Sequence, residues 1–352
     1  MMSQRVKKAD VFFGRFALSL MSTLVGVWLC AAPVSAQDVE KDPFFENRSI
    51  VFLIPAGSGG NLDYSGRLIG RYLSKYIPGH PNFVVQNMPG GGGMTMSNYL
   101  YNVAPKDGSA IGLVYQTAGL DQMLGSQAKY VFGNFGWIGR LSSSTALVVI
   151  HDSAPAKTLA AMKDKEVIFG SIGKSSQSTY VPTLLRTVLG YKTRVIYGYK
   201  GAADTFLAME RGEVHARTGS LDSLMATKPL WLKDGLAHAV AELSLESKPS
   251  FPGVPLMRDL ATTDEQREIL DFMASYTAFG VAFAAPPGIP ANRLKILRQA
   301  FDRAVNDPEL KAELEKGQFA YDPKSGDYLQ KLAVSFSAAK PDLIDRVKAA
   351  LD

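Results

Sequence analysis

Short apolar runs rich in β-branched residues alternate with longer segments of helical periodicity along most of the chain. Residues 50–54 predict a buried strand, and the apolar positions of 62–77 recur at the spacing of an amphipathic helix. The same reasoning predicts strands at 83–85, 110–115, 146–150, 167–169, 194–197 and 237–243, and helices at 95–103, 179–189, 202–211 and 291–306, with another beginning at Pro308. Alternation of strands with helices is typical of an α/β fold with a largely parallel sheet.

The first 36 residues predict a secretory signal peptide rather than a part of the fold. A basic start is followed by a mostly apolar run at 16–32 and by small residues at 34–36, where signal peptidase cleaves. A membrane anchor is the alternative, but the apolar run is shorter than the roughly 20 residues that a span requires. A lipoprotein is a third reading, although Leu29 stands before Cys30 where a small residue is needed. We therefore expect cleavage near Ala36 and export across the inner membrane.

Length, cysteine content and charge narrow the classes of function. Without the signal peptide, the 352-residue chain is long enough for two domains of about 100–200 residues each. Cys30 is the single cysteine, so the exported protein is expected to have no disulfide, thiol nucleophile or thiolate metal site. Three of the five net positive charges lie in residues 1–36, and the remaining Lys and Arg residues are scattered. A nucleic-acid partner, which needs a clustered basic face, is therefore not expected.

Three loops between a predicted strand and a predicted helix are candidates for anion binding. We call them the first glycine loop (55–63), the second glycine loop (87–95) and the hydroxyl-rich loop (170–179). Ligands of open α/β sheets bind at the carboxyl ends of strands, glycines allow close backbone approach, and helix N-termini favour anions. The alternative is that these are tight turns in which Asp63 caps its own helix and Lys174 is a solvated surface residue.

Motifs for nucleotide binding and catalysis are not found. Leu62 occupies the position where a dinucleotide fingerprint from Gly57 needs glycine, and neither glycine run continues into a P-loop. The sequence has no nucleophile elbow and no metalloprotease motif, and its four histidines lack metal-ligand spacing. We therefore predict no catalytic residue, no cofactor and no metal site. Arg217, in a predicted strand, fits either a buried partner of an anion or a surface arginine.

Several short motifs, in their order and spacing, resemble the substrate-binding receptors of tripartite tricarboxylate transporters, the Bug family. The resemblance covers roughly residues 49–321. The matching positions are Pro55, Gly59, Gly60 and Asp63; Asn87-Met88-Pro89 with Gly90 to Gly93; Pro105-Lys106-Asp107-Gly108; Tyr199-Lys200-Gly201; Gly212-Glu213-Val214; Pro252-Gly253-Val254-Pro255; and Ala285 to Pro290 followed by Asn306 to Glu309.

The resemblance implies a two-lobed α/β periplasmic binding protein, type II-like, that catalyses nothing. It would hold a small carboxylate in the cleft between its lobes and deliver it, as a monomer, to the membrane permease subunits of a tripartite tricarboxylate-type transporter. We assign residues 37–140 and 251–352 to the first lobe and 141–250 to the second. The return crossing could instead lie near residues 279–284.

The ligand contacts that we predict come from both lobes. They are Gly59, Gly60, Asn61 and Asp63 of the first glycine loop; Gly92, Gly93, Met94 and Thr95 of the second; Thr117; and Lys174, Ser175, Ser176 and Ser178 of the hydroxyl-rich loop.

Departures from the family pattern fall around the predicted pocket, so the identity of the ligand stays open. Met88 stands where arginine is usual, Lys174 where a small or amide residue is common, Thr179 where histidine is frequent, and Gly219 where aspartate often follows the strand. Two other functions remain: a sensor receptor for a membrane kinase, or a periplasmic enzyme acting on a carboxylate or ester. The missing nucleophile elbow argues against the enzyme.

Overall fold

The computed structural model describes residues 42–58, 61–125, 127–174, 176–199, 201–247, 253–317 and 319–352. The predicted signal peptide and its cleavage site lie outside the described residues, as do Gly59, Gly60 and Ser175. No helix within the described residues is both long and apolar enough to cross a membrane.

The described residues form eleven strands and twelve α-helices. The strands are β1 (Ser49–Ile54), β2 (Asn82–Asn87), β3 (Ala110–Val114), β4 (Gly136–Arg140), β5 (Ala146–His151), β6 (Val167–Ser171), β7 (Thr193–Tyr197), β8 (Ala216–Gly219), β9 (Ala237–Leu243), β10 (Ala282–Ala285) and β11 (Lys324–Ser325). The helices are α1 (Asn61–Tyr76), α2 (Met94–Asn102), α3 (Ala118–Met123), α4 (Leu159–Met162), α5 (Gln177–Thr187), α6 (Ala202–Glu210), α7 (Leu221–Thr227), α8 (Asp264–Ser275), α9 (Ala291–Asn306), α10 (Pro308–Lys316), α11 (Gly326–Ser337) and α12 (Pro341–Leu351).

Each strand and helix predicted from the sequence lies within a few residues of its predicted place. The agreement has a local cause, and the start of α10 is an example, because capping residues near in sequence determine where this helix begins. Asp307 is the N-cap, its carboxylate accepts a hydrogen bond from the Glu309 N–H at 2.8 Å, and Pro308 occupies the first helical position.

The strands form two mixed sheets, so the prediction of a largely parallel sheet was wrong. The first sheet has the order β11-β4-β10-β3-β1-β2, and the second has the order β7-β6-β8-β5-β9. Only part of each sheet is parallel: β1 runs parallel to β2 and β3, whereas β10 is antiparallel to both its neighbours. Likewise β6 is parallel to β7 and β8, whereas β5 is antiparallel to β8 and β9. A strand that arrives from the other sheet needs no helical crossover, so it can enter in either direction.

Strand membership divides along the chain. The first sheet takes strands that end by Arg140 or begin after residue 281, and the second takes only the strands between Ala146 and Leu243. The helices do not follow this division, because Thr187 of α5 donates to the Ala350 carbonyl of α12 at 2.6 Å. The lobe boundaries therefore stay a prediction.

Apolar cores lie on both faces of the first sheet. Adjacent residues of β4, Trp137 and Ile138, belong to different cores because successive side chains of a strand point to opposite faces. On one face, the Phe52 and Phe283 rings meet edge to face with centroids 5.7 Å apart, beneath α1 and α9. On the other, the rings of Phe132 and Trp137 lie 4.9 Å apart.

The chain passes between the sheets twice, and the two passages lie side by side. Backbone hydrogen bonds join them, from the Ser144 N–H to the Thr277 carbonyl at 2.8 Å and from the Val281 N–H to the Ser142 carbonyl at 2.9 Å. Gly280 lies at this contact with a φ of +46°, and a Cβ there would be 2.0 Å from the Ser142 carbonyl oxygen. Only glycine fits, because both the backbone conformation and the contact exclude a side chain.

We predict that Gly280→Ala lowers the free energy of unfolding by about 3 kcal/mol or more, because it adds a backbone clash to an unfavourable φ. Urea denaturation of the exported chain measures the loss. Gly57→Ala is the matched control, since no atom lies within 4 Å of its added Cβ. Equal stability of the two variants would contradict the assignment.

Candidate functional site

A cavity of about 490 Å³ lies between the two sheets. Its wall combines the N-terminal ends of α2, α5, α6 and α7 with the segment that joins β3 to α3 and with the end of β8. The lining residues are Gly91, Gly92, Met94, Tyr115, Gln116, Thr117, Asp121, Gly170, Ile172, Ser176, Gln177, Ser178, Gly201, Ala202, Thr205, Arg217, Thr218, Gly219, Ser220 and Ser223. A ligand of small-molecule size fits such a volume.

The second glycine loop reaches the cavity as predicted. Gly90 to Gly93 all have positive φ angles, and Gly91 and Gly92 line the wall together with Met94. Gly93 lies behind them, where a Cβ would come within 2.7 Å of the Tyr115 Cβ, so the turn needs glycine. Thr95 is exposed and, like Gly93, is not among the described residues that line the cavity.

The described residues of the first glycine loop do not line the cavity, although ligand contacts were predicted there. Gly59 and Gly60 lie outside the described residues, and α1 begins at Asn61. Asp63 is buried but is not among the described lining residues. Its carboxylate accepts from Asn87 Nδ2 at 2.8 Å and from Arg67 Nε at 3.0 Å. Asp63 therefore ties the first glycine loop to the second, and its contact with a ligand stays a prediction.

The hydroxyl-rich loop is internally hydrogen-bonded. Ser176 Oγ donates to the Gly173 carbonyl at 2.8 Å, and the Oγ atoms of Ser171 and Ser178 lie 2.9 Å apart. Ser176 and Ser178 line the cavity, whereas Lys174 is exposed and absent from its described lining. The Ser176 side chain does not cap α5. Gln177 and Ser178, the first residues of α5, line the cavity, so the partial positive charge at this helix N-terminus lies beside it.

A hydrogen bond joins the two sides of the cavity. Gln116, which follows β3 of the first sheet, donates through Nε2 to Oε1 of Gln177 in α5 at 3.4 Å. Thr117, a predicted contact, is buried in the wall beside Gln116.

Arg217 is the cationic residue among the described residues that line the cavity. Of its two interpretations from the sequence, a buried residue or a surface arginine, the structure supports the buried one. It is buried, with 7% of its surface exposed, and its guanidinium lies 4.3 Å from the centroid of the Phe206 ring. Burial lowers the pKa of Arg217 to about 10, and none of the described residues forms an ion pair or hydrogen bond with its guanidinium. The neighbouring Thr218 Oγ1 also has no hydrogen-bond partner among the described residues.

Gly219 makes room for that guanidinium. A Cβ at position 219 would lie 2.5 Å from Arg217 Nη2 and 2.9 Å from its Cζ. The glycine at this position thus leaves open the space that the guanidinium occupies. Together with the strand prediction, it was the one sequence signal that could have favoured the buried interpretation of Arg217.

Asp121 lines the cavity but was not predicted from the sequence. It lies in the short helix α3, is 7% exposed, and accepts a hydrogen bond from Thr117 Oγ1 at 3.4 Å. Burial raises the pKa of Asp121 to about 6, against the opposing effect of the Thr117 hydrogen bond. Its spacing of four residues from Thr117, on one helix face, was the available signal.

Comparison with known proteins shows which family the chain resembles. Residues 73–348 match the family described as "Tripartite tricarboxylate transporter family receptor". The chain belongs to this family. A relative from Agrobacterium vitis, a UPF0065 protein, is 23% identical over 314 residues, which are 87% of this chain and 82% of that protein. The predicted resemblance is confirmed.

Solved structures similar to this receptor show the fold. A ligand-free TctC solute binding protein from Polaromonas has a TM-score of 0.65 at 22% identity, over 85% of this chain and 99% of that one. The R. palustris protein Rpa4515 with adipate has a TM-score of 0.63 at 19% identity, over 86% and 98%. MatC from Rhodopseudomonas palustris with bound malate has a TM-score of 0.59 at 20% identity, over 88% and 100%. The two-lobed α/β fold is thereby confirmed.

No group of three or more His, Cys, Asp or Glu residues that could hold a metal ion occurs in the described part of the chain.

We predict that Asp121→Asn stabilises the receptor in a pH-dependent way. The raised pKa means that the folded state binds more protons than the unfolded chain between about pH 4 and pH 6, so this carboxyl costs stability as the pH rises. The variant should gain about 3 kcal/mol at pH 7.5 and little at pH 4, measured by urea denaturation. An equal gain at both pH values would show that ionisation is not the cause.

Proposed function

We propose that this receptor captures a small carboxylate between its two lobes in the periplasm and delivers it to the membrane permease subunits of a tripartite tricarboxylate-type transporter. The observation that carries the proposal is the guanidinium of Arg217, which is buried in the cavity wall without an ion-pair partner among the described residues. Family membership supports it, as do the adipate and malate named for two proteins of the same fold.

A bound carboxylate would compensate the cost of burying this cation. An uncompensated buried charge is unfavourable, whereas an Arg–carboxylate pair forms two parallel charge-assisted hydrogen bonds. The N-terminal ends of α2, α5 and α6 add donors and partial positive charge around the same space.

Capture is coupled to closure in the proposed mechanism. The ligand would contact residues of both walls, so it binds the closed form more tightly and shifts the population towards it. The permease would then recognise the closed form. The proposed mechanism uses two lobes, the first formed by residues 37–140 and 251–352 and the second by residues 141–250. We propose that the receptor acts as a monomer and is exported to the periplasm after cleavage near Ala36.

We predict that Arg217→Met weakens the binding of carboxylates by about 10- to 100-fold, because a hydrogen bond to a charged group contributes about 1.5–3 kcal/mol. Methionine keeps much of the apolar contact with Phe206 and removes the charge. Isothermal titration calorimetry on protein refolded to remove carried ligand gives the affinity, with ligands found by a thermal-shift screen of carboxylates and sugars.

Arg186→Met is the matched control, since Arg186 is an exposed arginine of α5. It should bind as the wild type does. Unchanged carboxylate affinity in Arg217→Met, or a wild-type protein that binds sugars and no carboxylate, would overturn the proposed function.

A further inference from the structure

The hydroxyl groups of the cavity wall differ in what they can offer to a ligand. A hydroxyl has one proton to donate and two lone pairs with which to accept, so a hydroxyl whose proton is already donated within the protein can only accept from a ligand. Four hydroxyl residues among those that line the cavity on the side of the second sheet are Ser176, Ser178, Thr205 and Ser220. The hydrogen bonds that they make with other described residues decide the role of each.

Ser176 and Ser178 have no proton left for a ligand. Ser176 Oγ donates to the Gly173 carbonyl at 2.8 Å, since a carbonyl cannot donate. Ser178 Oγ lies 2.7 Å from Ser176 Oγ, and at that distance one of the two must donate. The proton of Ser176 is already used, so Ser178 donates and Ser176 accepts. One lone pair of Ser176 Oγ then remains for a donor from a ligand.

Thr205 has the same property in α6. Its Oγ1 donates to the Gly201 carbonyl at 2.8 Å, four residues earlier in the chain, which is a common bond for threonine in a helix. The wall therefore contains two acceptor oxygens, one at the N-cap of α5 and one in α6. A polar atom that is buried under a ligand without a partner costs free energy, so these two oxygens favour a ligand that donates to them.

The groups that can donate lie at the end of β8. Arg217 is the cationic residue among the described residues of the lining, and its guanidinium has no described partner. Ser220 Oγ accepts from the Ser223 N–H at 3.2 Å and donates to none of the described residues, so its proton is available. A carboxylate, which only accepts, is suited to this part of the wall. One cation provides a charged partner for one carboxylate.

We propose that the ligand is a polyhydroxylated monocarboxylate, that is, a sugar acid of the aldonate or uronate type. Its carboxylate binds at Arg217 and Ser220, and its hydroxyls donate to Ser176 and Thr205. This inference rests on the proposed function and narrows its ligand class. The cavity of about 490 Å³ suits a molecule of this size. A dicarboxylate without hydroxyls would bring a second group that cannot donate, so the two acceptor oxygens would stay without a partner.

Matched ligands test the proposal by calorimetry at pH 7.5. Gluconate, glucuronate and shorter sugar acids are each compared with ligands of the same carbon number that change one feature. For gluconate these are hexanoate without hydroxyls, adipate with a second carboxylate, glucose without a carboxylate, and 2-amino-2-deoxygluconate, whose ammonium group adds a positive charge near Arg217. The best-bound sugar acid should bind about tenfold or more tightly than each of its comparison ligands, because a site built to accept from hydroxyls rejects analogues that lack them.

Variants assign this preference to residues. Thr205→Val keeps the shape of the side chain and removes its oxygen, and Ser176→Ala removes the other acceptor. Each should reduce the preference for the best-bound sugar acid over its analogue without hydroxyls by about three- to tenfold. Thr187→Val is the matched control, since Thr187 Oγ1 makes the same kind of helical bond, to the Thr183 carbonyl at 2.9 Å, and Thr187 is not among the described lining residues. It should keep the preference of the wild type.

The outcomes separate this inference from the proposed function. If hexanoate, adipate or the amino analogue binds as tightly as the sugar acids, the proposed ligand class is wrong and the carboxylate receptor stands. If Thr205→Val and Ser176→Ala weaken all ligands equally, the two hydroxyls support the loop structure and do not select the ligand, which overturns their assignment. If glucose binds and no carboxylate does, or if nothing binds, both the proposed function and this inference are overturned.

Discussion

The architecture depends on the place where the chain passes twice between the sheets. Backbone hydrogen bonds between residues 141–144 and 277–281 hold the two passages together, and the contact is close enough that Gly280 must have no side chain. Because both connections run through one region, the loops at the ends of the strands are brought to a common cavity. The passages also let strands enter each sheet in either direction, which explains why the sheets are mixed.

The chemistry of the cavity follows from burial more than from the number of charges. Arg217 and Asp121 are the kinds of residue that usually remain in water, and here their charged groups have been moved into a wall made largely of glycine, serine and threonine. Small residues let a ligand come close to backbone N–H groups, and the two ionisable groups place charge at fixed positions in the wall. The lowered pKa of one and the raised pKa of the other express the same desolvation with opposite sign.

Much of the fold could be predicted from the sequence, because local signals agreed with tertiary structure. The Asp307-Pro308 start of α10 and the apolar runs of β1 and β5 are examples. Strand β4 was not recognised because two glycines interrupt it. Gly139 is there because a Cβ would lie 2.2 Å from the Phe301 ring, a contact with a residue far along the chain. Strand direction was also beyond reach, since buried parallel and antiparallel strands have similar apolar patterns.

The site was predicted less completely, for a related reason. Glycine and serine loops are visible as local motifs, and the second glycine loop, Thr117, Ser176 and Ser178 do lie at the cavity. The sequence cannot show whether a single arginine or aspartate is buried, because that depends on residues distant in the chain. Lys174 looked the more probable cation from its loop, yet Arg217 is the buried one.

The contact between Gly219 and Arg217 couples the position of the charge to a residue that carries none. A Cβ at position 219 would overlap the present place of the guanidinium, so the end of the Arg217 side chain would have to move. A substitution at position 219 would therefore change where the charge of Arg217 lies in the wall, and with it the part of a ligand that this charge can reach.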